Sequence, residues 1–595
     1  MGQALEKTSL NKAHWLLPDT DLTQVERIAR AHDLPEIVAR LLCVRGIEEA
    51  DIEGFLHPTL KTHFPDPFAL KGMDDMAADI AEAIIKGKKI AIFGDFDVDG
   101  ATSSALLYRF LKHMGQEARI YIPGRLTEGY GPNADALKTL KDEGAGIVFL
   151  LDCGTTAFDP VAAGKELGLK IVIVDHHEAG DELPDCWHLI NPKRKDDDSG
   201  LDMLAAVGVT YLVCVAINAK LREKGFYKDK GLPEAPLKSF LDIVGLGTVC
   251  DMVPLKGPNR LFVRHGFKAM SSSDNVGLNA LIEVSRITGE ITPYHAGFVL
   301  GPRINAGSRV HKSELGAQLL SMDDPSGAND IAWTLSDCND KRKAIQQDME
   351  RTAIEQVEAG GLDQYSMIFV SDDSFHQGLS GLVAGRLKEK YTKPACVVTF
   401  AENVHGELEG RGSGRSIPGV HIAQAFMDAQ EEGLIIKGGG HAMAGGFTVL
   451  PDKVEAFRDF LYKHIAAQIE AGDVQVETEI DAVLSVRGCR PDFIKMIHEY
   501  VGPFGQEFQE PLFLLQNVRL HSVDVVGDSH IRCMVSDWEG GARMKAMAFR
   551  AVGTELGEAL LKSKGAAIEL VGQLKIDNWS GQDKVEMHVR DARLM

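Results

Sequence analysis

Between residues 76 and 215, apolar runs alternate with amphipathic stretches at a strand-then-helix rhythm. AADIAEAIIKGKK has helical spacing, KIAIFGDFD is a short apolar run, TSSALLYRFLKHMG is helical again and ARIYIP is extended. That alternation predicts right-handed βαβ units and a parallel sheet. Four apolar runs then stand out because each ends in acids or histidines. Lys89–Phe93 leads into Asp95, Asp97 and Asp99; Ile147–Leu151 into Asp152; Ile171–Val174 into Asp175, His176, His177 and Glu178; and Ile243–Val249 into Cys250 and Asp251. Read as strands, their carboxyl ends would converge at one edge, where open α/β sheets build their sites.

The flanking patterns differ. Residues 1–75 carry a helical segment, VERIARAHDLPEIVARLLCVRGI, with a proline-rich exit from His57-Pro58 to Asp66-Pro67. Residues 216 to about 310 read as mostly helical. Residues 313–359 form a long, highly charged helical pattern that suits a connector between lobes better than a packed core. A second α/β pattern follows over 360–469, with strands at Ser366–Val370 and Ala395–Phe400 around the helix SGLVAGRLKEKY, closing with the glycine cluster 438–446. From 470 onward, short alternating strands with Gly and Asp turns predict a small five-stranded β-barrel of OB type.

At 595 residues, three or four domains are expected, and 44% hydrophobic with 25% charged residues is globular. No apolar run approaches the ~18 residues of a membrane span, and the first residues lack a signal-like apolar core. The nine cysteines form no CxxC pair, and Cys153, Cys214 and Cys250 lie in apolar stretches, which predicts reduced, buried thiols there and a cytoplasmic protein. A net charge of −22 excludes a broad basic surface for duplex DNA but not a local basic groove.

Asp95, Asp97 and Asp99 alternate, so an extended chain end would aim them to one side. Such close anions repel unless a cation neutralises them, although an acidic turn before a helix N-terminus is the alternative. An EF-hand loop is poorly supported, because its twelfth position is Leu106. Asp152 and the Asp175-His176-His177 triplet tilt the balance toward Mn²⁺, Mg²⁺ or Zn²⁺.

DFDVDG (95–100), LDCGT (151–155), VDHHE (174–178) and GTVCDMVPL (247–255) resemble the four successive motifs of the DHH phosphoesterase superfamily. GRGSGRSIPGVHI (410–422) and GGGHAMAGGF (438–447) resemble its DHHA1 partner domain. With the OB-like tail, residues 40–595 are similar to the single-strand-DNA-specific exonucleases of that superfamily. The resemblance implies an α/β architecture: a parallel-sheet DHH domain (76–312) and a smaller α/β DHHA1 domain (360–469) joined by a long helix (313–359). A helical segment (1–75) precedes them and a nucleic-acid-binding β-barrel (470–595) follows.

It further implies a metal-dependent 5′-to-3′ exonuclease that degrades single-stranded DNA to mononucleotides in repair and recombination. Two Mn²⁺ or Mg²⁺ ions would be held by Asp97, Asp99, Asp152, His176 and Asp251, with Asp152 as bridge and Asp95 an outer or alternative member. His177 would stand beside the scissile phosphate as stabiliser or proton donor, and Asp175 would orient the histidines. Arg125, Arg303 and Arg309 would contact the strand, unless they are cap or ion-pair arginines. Arg309, Ser413 and Arg415 would hold a 5′-terminal phosphate, with Ser416 and His441 as further phosphate ligands and Trp579 stacking a base. The expected partners are single-stranded DNA, a single-strand-binding protein and a helicase, with no membrane. Alternatives are a phosphodiesterase of small substrates (an oligoribonucleotide, a cyclic dinucleotide or pyrophosphate), favoured by the charge, and an inactive scaffold in a replication complex.

Overall fold

In the computed structural model, residues 3–4 (backbone alone), 9–402, 406–472, 477–577 and 583–595 are described. The chain divides into two compact units, one of residues 65–253 and 262–474, the other of residues 1–64, 254–261 and 475–595.

The first unit is built on five parallel strands. β1 (Ile90–Gly94), α1 (Val98–His113), β2 (Arg119–Tyr121), β3 (Ile147–Leu151), β4 (Lys170–Val174) and β5 (His188–Ile190) assemble in the order β2-β1-β3-β4-β5. Every residue of β1 and β3 is buried, as expected of a parallel sheet covered on both faces. The strand order reverses between β1 and β3, and this switch point is where such sheets open a crevice for ligands.

Helices α1 and α2 (Ala206–Glu223) pack on the sheet, and α3 (Leu241–Cys250) packs against both of them. The α3 range corrects the sequence reading, which took Ile243–Val249 as a fourth strand. Residues 241–248 are all buried, and an all-apolar run of that length cannot be told from a strand by periodicity. Two glycines let the helix pack tightly: a Cβ on Gly247 would lie 2.3 Å from Thr102 Oγ1, and one on Gly245 3.2 Å from the Gly266 Cα.

The charged pattern expected as one connector over 313–359 is also corrected. It splits into a helix at Leu315–Ser321 and, after α4 (Gly301–Val310) has entered the fold, the 36-residue α5 (Pro325–Gly360). Asp324 restarts the helix by accepting from Ser326 N and Gly327 N, with Pro325 in the first turn. α5 is more than a connector. Ala328, Ala332, Leu335 and Asn339 are buried, and Met349, Ala353 and Val357 enter one apolar cluster with Ile368, Val370 and Val383 of the second lobe.

That lobe consists of β6 (Ile368–Ser371), α6 (Ser380–Tyr391), β7 (Ala395–Glu402), β8 (Leu408–Arg415), β9 (Lys437–His441) and β10 (Ala444–Val449), in the order β9-β10-β8-β7-β6. Only β6 and β7 pair in parallel. Its glycine clusters are strands, and several of these glycines make room for rings. A Cβ on Gly412 would sit 2.1 Å from the Phe447 ring, and one on Gly414 2.7 Å from Phe426.

In the second unit, β11 (Phe513–Val526), β12 (His530–Asp537), β13 (Arg543–Ala548), β14 (Ala567–Asp577) and β15 (Lys584–Leu594) close into a five-stranded barrel. The ring runs β11-β12-β13-β15-β14 and returns to β11, with β13 and β15 parallel, as in an OB fold. The N-terminal segment is not purely helical. His14–Leu17 is a strand that pairs in parallel with Glu477–Glu479, and the fully buried Trp15 donates from Nε1 to Asp591 Oδ2 at 2.9 Å. Among the described residues, no helix is long and apolar enough to cross a membrane.

Candidate metal centre and phosphate pocket

The carboxyl ends of β1, β3 and β4 finish in step. Gly94 pairs with Leu151 and Leu151 with Val174. Beyond them Asp95 N donates to Leu151 O (3.2 Å) and Asp152 N to Val174 O (3.0 Å), while Asp175 N donates to Ile190 O (3.0 Å). Asp152 adopts φ 60, a left-handed conformation that an aspartate tolerates and that turns the chain sharply after β3.

α1 starts inside the same cleft. Asp97 caps it, accepting from Asp99 N (2.9 Å) and Gly100 N (3.3 Å). Gly100 is required here, because a Cβ would meet the Asp95 backbone at 2.3–2.6 Å. Asp99 in turn accepts from Ala206 N (2.6 Å) and Val207 N (2.8 Å) at the start of α2, which immobilises it. Asp251 arrives from the C-terminal end of α3.

The result is three overlapping groups of ligand atoms, each spanning no more than 4.8 Å: Asp152 with His176 and His177, Asp99 with His176 and Asp251, and Asp95 with Asp97 and Asp152. Asp152 and His176 each belong to two groups. His176 Nε2 lies 3.4 Å from Asp152 Oδ1, 3.6 Å from Asp251 Oδ2 and 3.8 Å from Asp99 Oδ2. These are not ion pairs. Burial, with His177 next to it, lowers the His176 pKa to about 4, so the imidazole is neutral and keeps a lone pair for a ligand.

The carboxylates behave conversely. Burial, followed by repulsion from neighbouring aspartates, raises Asp95, Asp152 and Asp251 well above the usual range and pushes Asp99 up to about 7. Asp95 Oδ1, Asp152 Oδ1, Asp251 Oδ2 and His176 Nδ1 are buried without a hydrogen-bond partner. Orphaned acceptors around mutually repelling acids fit hard divalent cations, which would take the place of the protons.

Asp175 does different work. Its Oδ1 accepts from His176 N (2.8 Å), His177 N (3.2 Å) and His177 Nδ1 (2.7 Å), and its Oδ2 from Thr155 N (3.0 Å). Burial alone would raise its pKa; the bonds from His177 and Thr155 hold it below the usual carboxylate range. For His177 burial favours the neutral ring, but Asp175 outweighs it and raises the pKa.

Two residues that the sequence reading missed complete this shell. The Tyr130 hydroxyl lies 3.3 Å from His177 Nε2 and from the Asp152 carbonyl oxygen, and Asn191 Nδ2 donates to His177 O and Thr155 Oγ1 at 2.9 Å each. Neither follows an apolar run into an acid cluster, so the pattern that exposed the other residues could not find them.

A cationic pocket lies in the same unit. Arg125 stacks on Phe96 at 4.5 Å, with Asp95 and Asp97 as its charged neighbours. Arg309 donates from Nη1 to Gly378 O (2.7 Å), and burial together with the charges of Arg125 and Arg342 drops its pKa to about 9. Arg415 also feels desolvation and is itself one of the charges acting on Arg309. At the N-terminus of α6, a Cβ on Gly381 would lie 2.8 Å from Arg415 Nη2 and 3.5 Å from Ser413 Oγ, and the Ser380 Oγ is buried without a partner. Crowded guanidiniums at a helix N-terminus make an anion site.

The remaining candidates are placed differently. Ser416 is buried and donates to Val420 O (2.7 Å), within its own turn. His441 is exposed at the end of β9. Arg303 faces α5, donating to Val299 O (2.8 Å) and Ser336 Oγ (3.4 Å). Trp579 lies outside the described residues.

Family models match in three places: "DHH family, N-terminal domain" over residues 89–248, "DHHA1 domain" over 364–467 and "RecJ OB domain" over 480–591. The chain is 32% identical to the single-stranded-DNA-specific exonuclease RecJ of Salmonella typhimurium, over 94% of this chain and 96% of that protein. It is 30% identical to RecJ of Bacillus subtilis, over 98% of this chain and 71% of that protein. The chain belongs to the RecJ family. Among solved structures, Thermus thermophilus RecJ in complex with Mn²⁺ matches with a TM-score of 0.78 at 25% identity, covering 98% of this chain and 79% of that one. That RecJ chain carries a Mn²⁺ complex, the kind of cation that suits the oxygen-rich donor set found here.

Proposed function

We propose that the chain is a metal-dependent exonuclease that removes nucleotides from the 5′ end of single-stranded DNA, with two Mn²⁺ or Mg²⁺ ions. The observation that carries this is the sharing of Asp152 and His176 between ligand groups in the same unit as the Arg309–Arg415 anion pocket. Asp97, Asp99, Asp152, His176 and Asp251 would hold the ions, with Asp95, through its orphaned Oδ1, as a further oxygen donor. When bound, the ions activate water and stabilise charge on the phosphate. Asp175 orients His177 and favours its protonated form, and the half-exposed His177 can present a proton to the open side of the site. Arg309, Arg415 and Ser413 anchor the 5′ phosphate, and the second unit's barrel binds the strand.

A single-strand-binding protein and a helicase are the proposed partners, because the substrate arises by strand separation. The nine cysteines are all free, in keeping with a reducing cytoplasm. Digestion of end-labelled single- and double-stranded DNA with Mn²⁺, Mg²⁺ or EDTA tests the reading. Mononucleotides released from the 5′ end of single strands alone are expected, and release from the 3′ end would refute it.

Two variants probe the parts. Asp175→Asn is expected to lower kcat roughly 10- to 100-fold, the scale of losing an orienting carboxylate, and to shift the pH–rate profile. An unchanged profile would remove Asp175 from that role. Arg415→Ala is expected to abolish the preference for 5′-phosphorylated over 5′-hydroxyl ends in competition assays, and a retained preference would move the anchor elsewhere.

A further inference from the structure

We infer that Tyr294 and Phe298 form a base-stacking platform beside the metal centre, taking one base of the bound strand. The inference rests on the proposed single-strand substrate. Tyr294 and Phe298 are 62% and 72% exposed, yet their rings are ordered against each other, with centroids 5.1 Å apart and planes 28° apart. Exposed large apolar side chains are ordinary singly; a stacked and solvent-facing pair is a surface built for contact.

Its position gives it an occupant. Cys250 Sγ contacts Ala296 O at 3.4 Å, a Cβ on Gly301 would lie 2.6 Å from Cys250 Sγ, and one on Gly297 3.8 Å from Val249 Cγ1. The segment bearing the two rings therefore crosses the C-terminal end of α3, one residue from Asp251. Downstream it runs directly into α4, which carries Arg303 and Arg309. Tyr294 lies in a short helical turn (293–295) and Phe298 in the π-helical turn that follows it (296–300), a distortion that recurs at functional sites.

Charge supplies the need. A chain of net charge −22 draws little long-range attraction for a polyanion. Stacking on neutral rings adds affinity that every base can use and that salt does not screen. The platform thus accounts for sequence-tolerant grip next to an acidic centre. A partner protein docking on the same rings is the competing occupant, and the test separates the two.

The experiment uses the full chain with Mn²⁺ and 5′-phosphorylated 12-mers carrying a single abasic nucleotide at each position in turn. For the wild type, one position near the 5′ end is expected to raise KM about tenfold when its base is missing. The double variant Tyr294→Leu, Phe298→Leu keeps apolar bulk at exposed positions and is expected to raise KM about tenfold on the intact strand, equally at low and high salt. The abasic position should cost it nothing further. Restoring rings with Tyr294→Trp, Phe298→Trp should restore both KM and the abasic sensitivity.

If the leucine variant matches the wild type, or loses the same factor on top of the abasic loss, the platform does not exist. A loss seen only with a partner protein present would assign the rings to protein docking. If the wild type cleaves no single-stranded DNA in Mn²⁺, the exonuclease reading itself fails, which is a different result.

Discussion

Asp152→Ala is expected to lower exonuclease turnover on the order of a thousandfold, more than the roughly 10- to 100-fold that follows loss of an outer-shell carboxylate. Asp152 alone belongs to both the His176–His177 and the Asp95–Asp97 groups, so its removal damages both halves of the centre. Nucleotide release from end-labelled single strands measures it, and near-normal turnover would break the two-ion assignment. The companion Asp152→Asn separates catalysis from folding. Burial and the neighbouring aspartates already favour the protonated, neutral form of Asp152 in the metal-free fold, and Asn is its neutral isostere, so the metal-free protein should melt no lower than the wild type while its Mn²⁺ response disappears. A variant that melts much lower would make Asp152 a folding residue.

The second large effect is the coupling of metal, pH and stability. Saturating Mn²⁺, at about 100 times its Kd, is expected to stabilise by ~2.7 kcal/mol, a rise of about 5 °C in Tm for a unit this large. The rise should grow from pH 5 to pH 8. Burial and repulsion raise Asp99 from 3.8 to about 7 in the folded chain, and Asp95, Asp152 and Asp251 move the same way. At these four acids the folded metal-free protein therefore binds more protons than the unfolded chain between about pH 4 and pH 7, which outweighs the single proton that His176, lowered to about 4, gives up. Its stability falls as pH rises through that window. Cations occupy the site in competition with those protons, so their contribution rises as the protons leave. Calorimetry of Mn²⁺-loaded and EDTA-treated protein at several pH values measures it. A shift that is constant, or larger at pH 5, would contradict the acid cluster as the binding site.

The arginine pocket is harder to see in the chain than the acids. Arg309 and Arg415 are 106 positions apart, and each is an ordinary surface-type residue in its own stretch. Their meaning comes from α6, whose N-terminus brings Gly381 and Ser380 against Arg415. The glycine runs are a related lesson. In the chain they look like phosphate loops, but β8 and β10 use several of them to admit Phe426 and Phe447. The rings that require those glycines lie a dozen or more residues away in the chain, on a helix or on the neighbouring strand.

What the chain determined by itself was local. Strand-length apolar runs ending in Asp95, Asp152 and Asp175 specify a parallel sheet and which edge carries the acids, because period and run length are properties of neighbouring residues. The alternating tail specified the barrel in the same way. The tertiary structure decided the rest. It made the run before Asp251 a helix, since Gly245 and Gly247 allow close packing that no periodicity reveals. It joined the first residues to the last through Trp15 and Asp591. It also fixed the protonation of the site, because His176 is neutral and Asp99 titrates near neutrality only through burial among charges that arrive from four separate segments.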